Sequence, residues 1–171
     1  MDTTIFWKLI DEARHTSESD PEQQLAELSL LLDKLSAEEI VDFHYIFYSL
    51  FYKSYTWELW GAAYVINGGC SDDAFDYFRG WLISRGEKVF TTALREPDQL
   101  ASMINDGDAE IDCQVEGWQS IAVEAWCRKT GQKDSAFPAW SSENLSNDPI
   151  GEKWQEEDLD RLYPMLNQRF N

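Results

Sequence analysis

The chain is short of cysteines, basic residues and apolar runs, and each shortage argues against a class of protein. Cys70, Cys113 and Cys127 form an odd set without CxxC spacing, which fits reduced, mostly buried thiols and not a disulfide framework. No apolar stretch approaches the ~18 residues of a membrane span. The opening MDTTIFWKLIDEARH has no basic region ahead of an apolar one, so the expectation is a soluble, cytoplasmic protein with no membrane partner. Lys and Arg number 14 against 32 acids, for a formal charge of -18. Nucleic-acid surfaces gain affinity by releasing counterions around clustered cations, and the cations here are scattered. Nucleic acid is therefore not the expected ligand, and any charge-steered partner is basic. Alternating segments joined by hairpin turns are lacking too, which argues against a sheet.

What remains is rich in helix signals. The 171 residues are 14% aromatic and 43% hydrophobic, so the acidity does not imply disorder, and one domain over residues 1–171 is the default. Ile5, Phe6, Leu9, Ile10 and Ala13 make an apolar stripe behind a cap at Asp2 or Thr3. Pro21 suits the first turn of a second helix, in which Leu25, Leu28, Leu31, Leu32 and Leu35 continue the stripe. Ser36 and Glu39 read as a capping box opening a third helix through about Lys53, apolar on nearly every side. A fourth closes at Asn67 or Gly68, where glycine adopts the left-handed conformation. Ser71 then caps a fifth helix over 71–85, with Asp72 and Asp73 beside its exposed amides. The predicted fold is all-α: about eight or nine helices in one compact domain, with the third and fifth at its centre.

Two segments depart from this pattern. NDGDAEIDCQVEG, residues 105–117, is acidic and glycine-bracketed and reads as a loop. Asp106, Asp108, Glu110, Asp112, Glu116 and Glu124 lie in a stretch without Lys or Arg. The first five of these acids, with Trp118 as an aromatic anchor, are the expected partner-binding surface, although Trp118 suits the core as well. QKDSAFPAWSSENLSNDPIGEKW reads as irregular chain held by Phe137, Trp140 and Trp154, before a last helix interrupted at Pro164.

The run WGAAYVINGGCSDDAFDYFRGWLISRG concentrates the chemistry. Asp72, Asp76 and Arg79 fall on one face of the fifth helix at spacings of four and three. One reading is an ion-pair cluster that fixes the helix. The other is a hydrolase or transferase cleft in which the carboxylates act as acid and base, Arg79 anchors a small anionic substrate, and Tyr64, Tyr77 and Trp81 line the walls. The first takes precedence because each residue has a sufficient structural reason to be there. Cys70 sits beside a helix N-terminus, but the neighbouring aspartates oppose a thiolate, and His44 lies within an aromatic-rich helix as a core or groove residue. Asp106, Asp108, Glu110 and Asp112 alternate as calcium ligands do, yet Ile111 stands where the EF-hand glycine belongs and Gly117 where its bidentate acid belongs. No phosphate-cradling glycine loop or GxSxG elbow occurs, and no metal or cofactor is expected.

FWKLIDEAR, LWGAAYVINGGCSDDAFDYFRGWLISRGEKVFTTAL and PDQLA resemble a bacterial family known as domain of unknown function 4240. The likeness covers roughly residues 5–101, centred on GGCSDD followed by F-x-Y-F-R-x-W-L-I, and it weakens beyond Gly117. It implies a bacterial intracellular protein and carries no reaction or catalytic residue with it. The functional expectation is a non-catalytic accessory protein that binds a basic protein, in its most specific form an immunity or inhibitor protein covering a basic toxin site.

Overall fold

Local capping chemistry sets the helix boundaries. Helix α1 (Thr3–Thr16) begins where the Asp2 carboxylate accepts the Ile5 amide at 2.9 Å. Helix α2 (Pro21–Leu32) begins on Asp20, with Pro21 in its first turn. In α3 (Ala37–Lys53) the capping box is complete: Ser36 Oγ accepts the Glu39 amide at 3.2 Å, and the Glu39 carboxylate accepts the Ser36 amide at 2.8 Å. Helix α4 (Trp57–Asn67) ends on Gly68 at φ +63°, and α5 (Asp72–Ser84) starts from the Ser71 hydroxyl. Then follow α6 (Glu87–Arg95), α7 (Leu100–Met103), α8 (Ile121–Thr130), α9 (Leu159–Leu162) and α10 (Pro164–Phe170).

The computed structural model describes residues 1–17, 20–104, 115–138 and 148–170. Ten α-helices occur among the described residues, more than the eight or nine expected. The last predicted helix is two, because Tyr163 leaves helical geometry at φ -128°, ψ 61° just before Pro164. Asp106, Asp108, Glu110, Asp112, Cys113 and Trp140 lie outside the described residues. Among those described, the β structure is one isolated parallel bridge between Thr56 and Ile150.

Helix α5 occupies the interior. Helices α1, α3, α4 and α6 all pack on it, and residues 78–86 are buried without a break. Gly80 permits part of this: a Cβ there would lie 2.9 Å from Trp118 Cβ. Helix α3 is less enclosed than its sequence suggests. It buries Ile40, Phe43, His44, Phe47 and Phe51, but Ser49 and Lys53 are exposed and Tyr45, Tyr48 and Tyr52 are half-buried. Tyrosine tolerates such a boundary because its ring is apolar and its hydroxyl is not.

The C-terminal residues are strapped onto α4. Ile150 exchanges backbone hydrogen bonds with Tyr55 and Trp57, each at 2.9 Å. Trp154 Nε1 donates to the Trp57 carbonyl at 2.8 Å, and the Tyr163 hydroxyl donates to the Glu58 carbonyl at 2.6 Å. Asp98 caps α10 by accepting the amides of Met165 and Leu166.

Candidate functional site

The sequence places Asp72, Asp76 and Arg79 on one helical face, and the structure pairs Arg79 with Asp76. Its second terminal nitrogen donates to the Phe51 carbonyl of α3 at 2.8 Å. Its guanidinium carbon lies 3.8 Å from the Phe51 ring centroid, 4.6 Å from that of Tyr55 and 5.2 Å from that of Phe75. The side chain is 5% exposed, whereas that of Asp76 is 46% exposed. Burial pulls the guanidinium below its ordinary value, and Asp76 opposes that shift. Asp72 remains exposed in the first turn. Arg79 is thus enclosed by rings, a carbonyl and one carboxylate, the environment of a helix-orienting cation and not of an anion receptor.

The three proposed cleft walls sit in different surroundings. Trp81 is 0% exposed. Tyr77 donates to Glu116, whose charge is the main cause of its raised pKa. Tyr64 packs on Trp154 at 5.2 Å and is raised chiefly by its hydrogen bond to Glu156. Tyr77 and Trp81 share a helical face, but α5 is covered on all sides beyond Phe78, so that face opens only at its N-terminal end.

Burial pushes the Cys70 thiol up to about 12, removing it as a nucleophile near neutral pH. His44 is 7% exposed, and its ring sits 4.4 Å from Tyr48 and 4.7 Å from Phe137. Burial lowers its pKa to about 4, so the imidazole is neutral at physiological pH. Among the described residues no group of three or more His, Cys, Asp and Glu side chains is placed to hold a metal ion.

Of the expected binding surface, Asp106, Asp108, Glu110 and Asp112 lie outside the described residues. Glu116 is exposed and held by Tyr77. Trp118 is not a surface anchor: it is 1% exposed and closed over Gly80. Its large ring fills the space that the missing Gly80 side chain leaves.

Sequence reading missed a cavity of about 300 Å³ where the start of α3 meets α8. Ala37, Glu38, Val41, Asp42, Trp126 and Pro138 line it. Its one local signal is the four-residue spacing of Glu38 and Asp42 on α3.

Residues 1–128 match the family described as "Protein of unknown function (DUF4240)". The match runs past the likeness at residues 5–101 and ends inside α8, taking in Trp118 and its seat on Gly80. No curated protein and no solved structure matches the chain.

Proposed function

The chain belongs to the DUF4240 family, and we propose that it is a non-catalytic, acidic accessory protein of the bacterial cytoplasm that binds a basic protein partner. Its most specific form is an immunity or inhibitor protein covering a basic toxin site, with Asp106, Asp108, Glu110, Asp112 and Glu116 on the engaging surface. Charge carries the reading: 32 acids face 14 cations, and several of those cations are already engaged. Arg14, Arg79, Arg95, Arg128 and Arg161 each pair with an acid of this same chain. The surplus negative charge is left to attract an external cation. The absence of any helix long and apolar enough to cross a membrane among the described residues is consistent with this reading.

Affinity capture from the native host at low salt tests it, with wild type beside a chain carrying Asp106→Asn, Asp108→Asn, Glu110→Gln and Asp112→Asn. The expected result is a basic protein recovered by wild type, bound less tightly as salt rises, and weakened about tenfold or more in the variant. Equal recovery with equal salt dependence removes this segment from the interface.

A further inference from the structure

We propose that the cavity between α3 and α8 is a socket for a lysine or arginine side chain of a protein partner. This rests on the reading of a basic protein partner and names the group that partner inserts. Lys and Arg carry an apolar stem and a charged head, and the cavity has the matching parts. Ala37, Val41, Trp126 and Pro138 form an apolar wall, while Glu38 and Asp42, one helical turn apart on α3, supply two carboxylates.

Two observations make a cation the fitting occupant. The Met1 α-ammonium already binds Asp42, so this carboxylate accepts an ammonium group, and the exposed Glu38 remains for a second cation. The nearby cations of α8 are turned elsewhere: Arg128 pairs with Asp33, just past the end of α2, at 3.0 Å, and Lys129 Nζ donates to the Asp33 carbonyl at 2.8 Å. The positive end of the α3 dipole opposes a cation, but its effective charge is only about half a unit. The capping box already occupies its first amides, and Glu38, Glu39 and Asp42 outweigh it even after Met1 is counted. An anionic guest meets this negative rim, and a purely apolar one strips water from the carboxylates without replacing it.

The test titrates the N-acetyl amides of arginine, lysine and norleucine into nitrogen-labelled full-length protein, following the Trp126 indole and Val41 amide resonances. The expected outcome is saturable shifts with arginine or lysine amide at a Kd on the order of millimolar, the range for a ligand of this size. Norleucine amide should bind at least about tenfold more weakly, and the Glu38→Gln, Asp42→Asn double variant should weaken arginine amide by about the same factor, since both comparisons remove the charge pairing. Val41→Trp, at a half-buried position, fills the cavity and should abolish the shifts, with its thermal midpoint checking the fold. Norleucine binding as well as arginine, or no saturable shift in folded wild type, overturns the socket. Host capture separates this from the broader reading. A basic partner bound equally by wild type and the double variant overturns the socket alone, whereas arginine-amide binding with no basic partner in the host supports the socket chemistry and overturns the broader reading.

Discussion

Replacing Arg79 with methionine tests whether the α3–α5 contact is architectural. The substitution removes a charged hydrogen bond to the Phe51 carbonyl, about 2 kcal/mol, and the stacking of a desolvated cation on Phe51, about 1 kcal/mol. The carbonyl is not orphaned, because Ser54 Oγ also donates to it at 2.8 Å. Methionine retains most of the buried stem, and the half-exposed Asp76 returns to water. Loss of the guanidinium also removes its pairing with Asp76 and relieves the burial of its Nε, which has no hydrogen-bond partner; these two effects oppose each other, so the net cost stays near 3 kcal/mol. For a chain of this length that corresponds to a drop of roughly 6–12 °C in Tm.

Asp76→Asn acts differently. It leaves a buried cation without its carboxylate and should cost about 2 kcal/mol. In the double variant that penalty disappears with the cation, so the combined cost should be about 3 kcal/mol and not the sum of the singles. Urea unfolding followed by tryptophan fluorescence and far-ultraviolet circular dichroism measures all four corners of the cycle. Singles within about 0.5 kcal/mol of wild type, or strict additivity, would refute the architectural account. Variants that keep full stability but lose a measurable activity would instead revive the Asp72, Asp76 and Arg79 cleft.

Three further outcomes follow from the same geometry. The His44 imidazole is lowered from 6.5 to about 4, so between those values the unfolded chain takes up a proton that the folded chain refuses. Stability should be full above about pH 6.5 and fall by about 3 kcal/mol as the pH drops toward 4; urea midpoints of wild type and His44→Phe that run parallel over this window would contradict it. Gly61→Ala places a methyl 2.5 Å from the Tyr163 hydroxyl, which should cost about 1–3 kcal/mol. Adding Tyr163→Leu should then cost less than the two singles predict, and full additivity in thermal melts counts against the clash. With Cys113 and Cys127 changed to serine, native Cys70 should react with a thiol reagent at neutral pH far more slowly than the urea-unfolded chain, because burial pushes its thiol up to about 12; equal labelling rates would show an open thiolate.

Helix starts and stops were legible because capping is local. Asp2, Ser36 with Glu39, Ser71 and Gly68 each act within three or four positions of their own place in the chain, so sequence spacing alone identifies them. The Asp76–Arg79 pair was legible for the same reason. What surrounds Arg79 was not, because the Phe51 carbonyl comes from 28 positions away and no local pattern announces it. A helical wheel places Tyr77 and Trp81 on one face but does not say that the far end of that face is covered. The socket escaped for a related reason: Ala37 and Val41 meet Trp126 and Pro138 only when α8 lies across α3.

The distribution of cations explains how an acid-rich chain retains an enclosed interior. Net charge of this size repels itself and opposes compaction. The chain places two arginines inside: Arg79 ties α5 to the Phe51 carbonyl of α3, and Arg85 reaches Gln24 of α2 and Ser84 of α5. Gln24 Nε2 completes the second link by donating to the Ser84 carbonyl at 2.8 Å. Arg79 pairs with one half-exposed acid, and Arg85 also touches amide and hydroxyl oxygens, so neutral acceptors take part in joining the core. Most of the acids among the described residues face water. Substitutions at Glu38, Asp42 or Glu116 thus alter the external field with little demand on the core, whereas Arg79 and Arg85 act on the core with little effect on that field. If the proposed basic partner binds this acidic surface, binding and folding are separable by mutation.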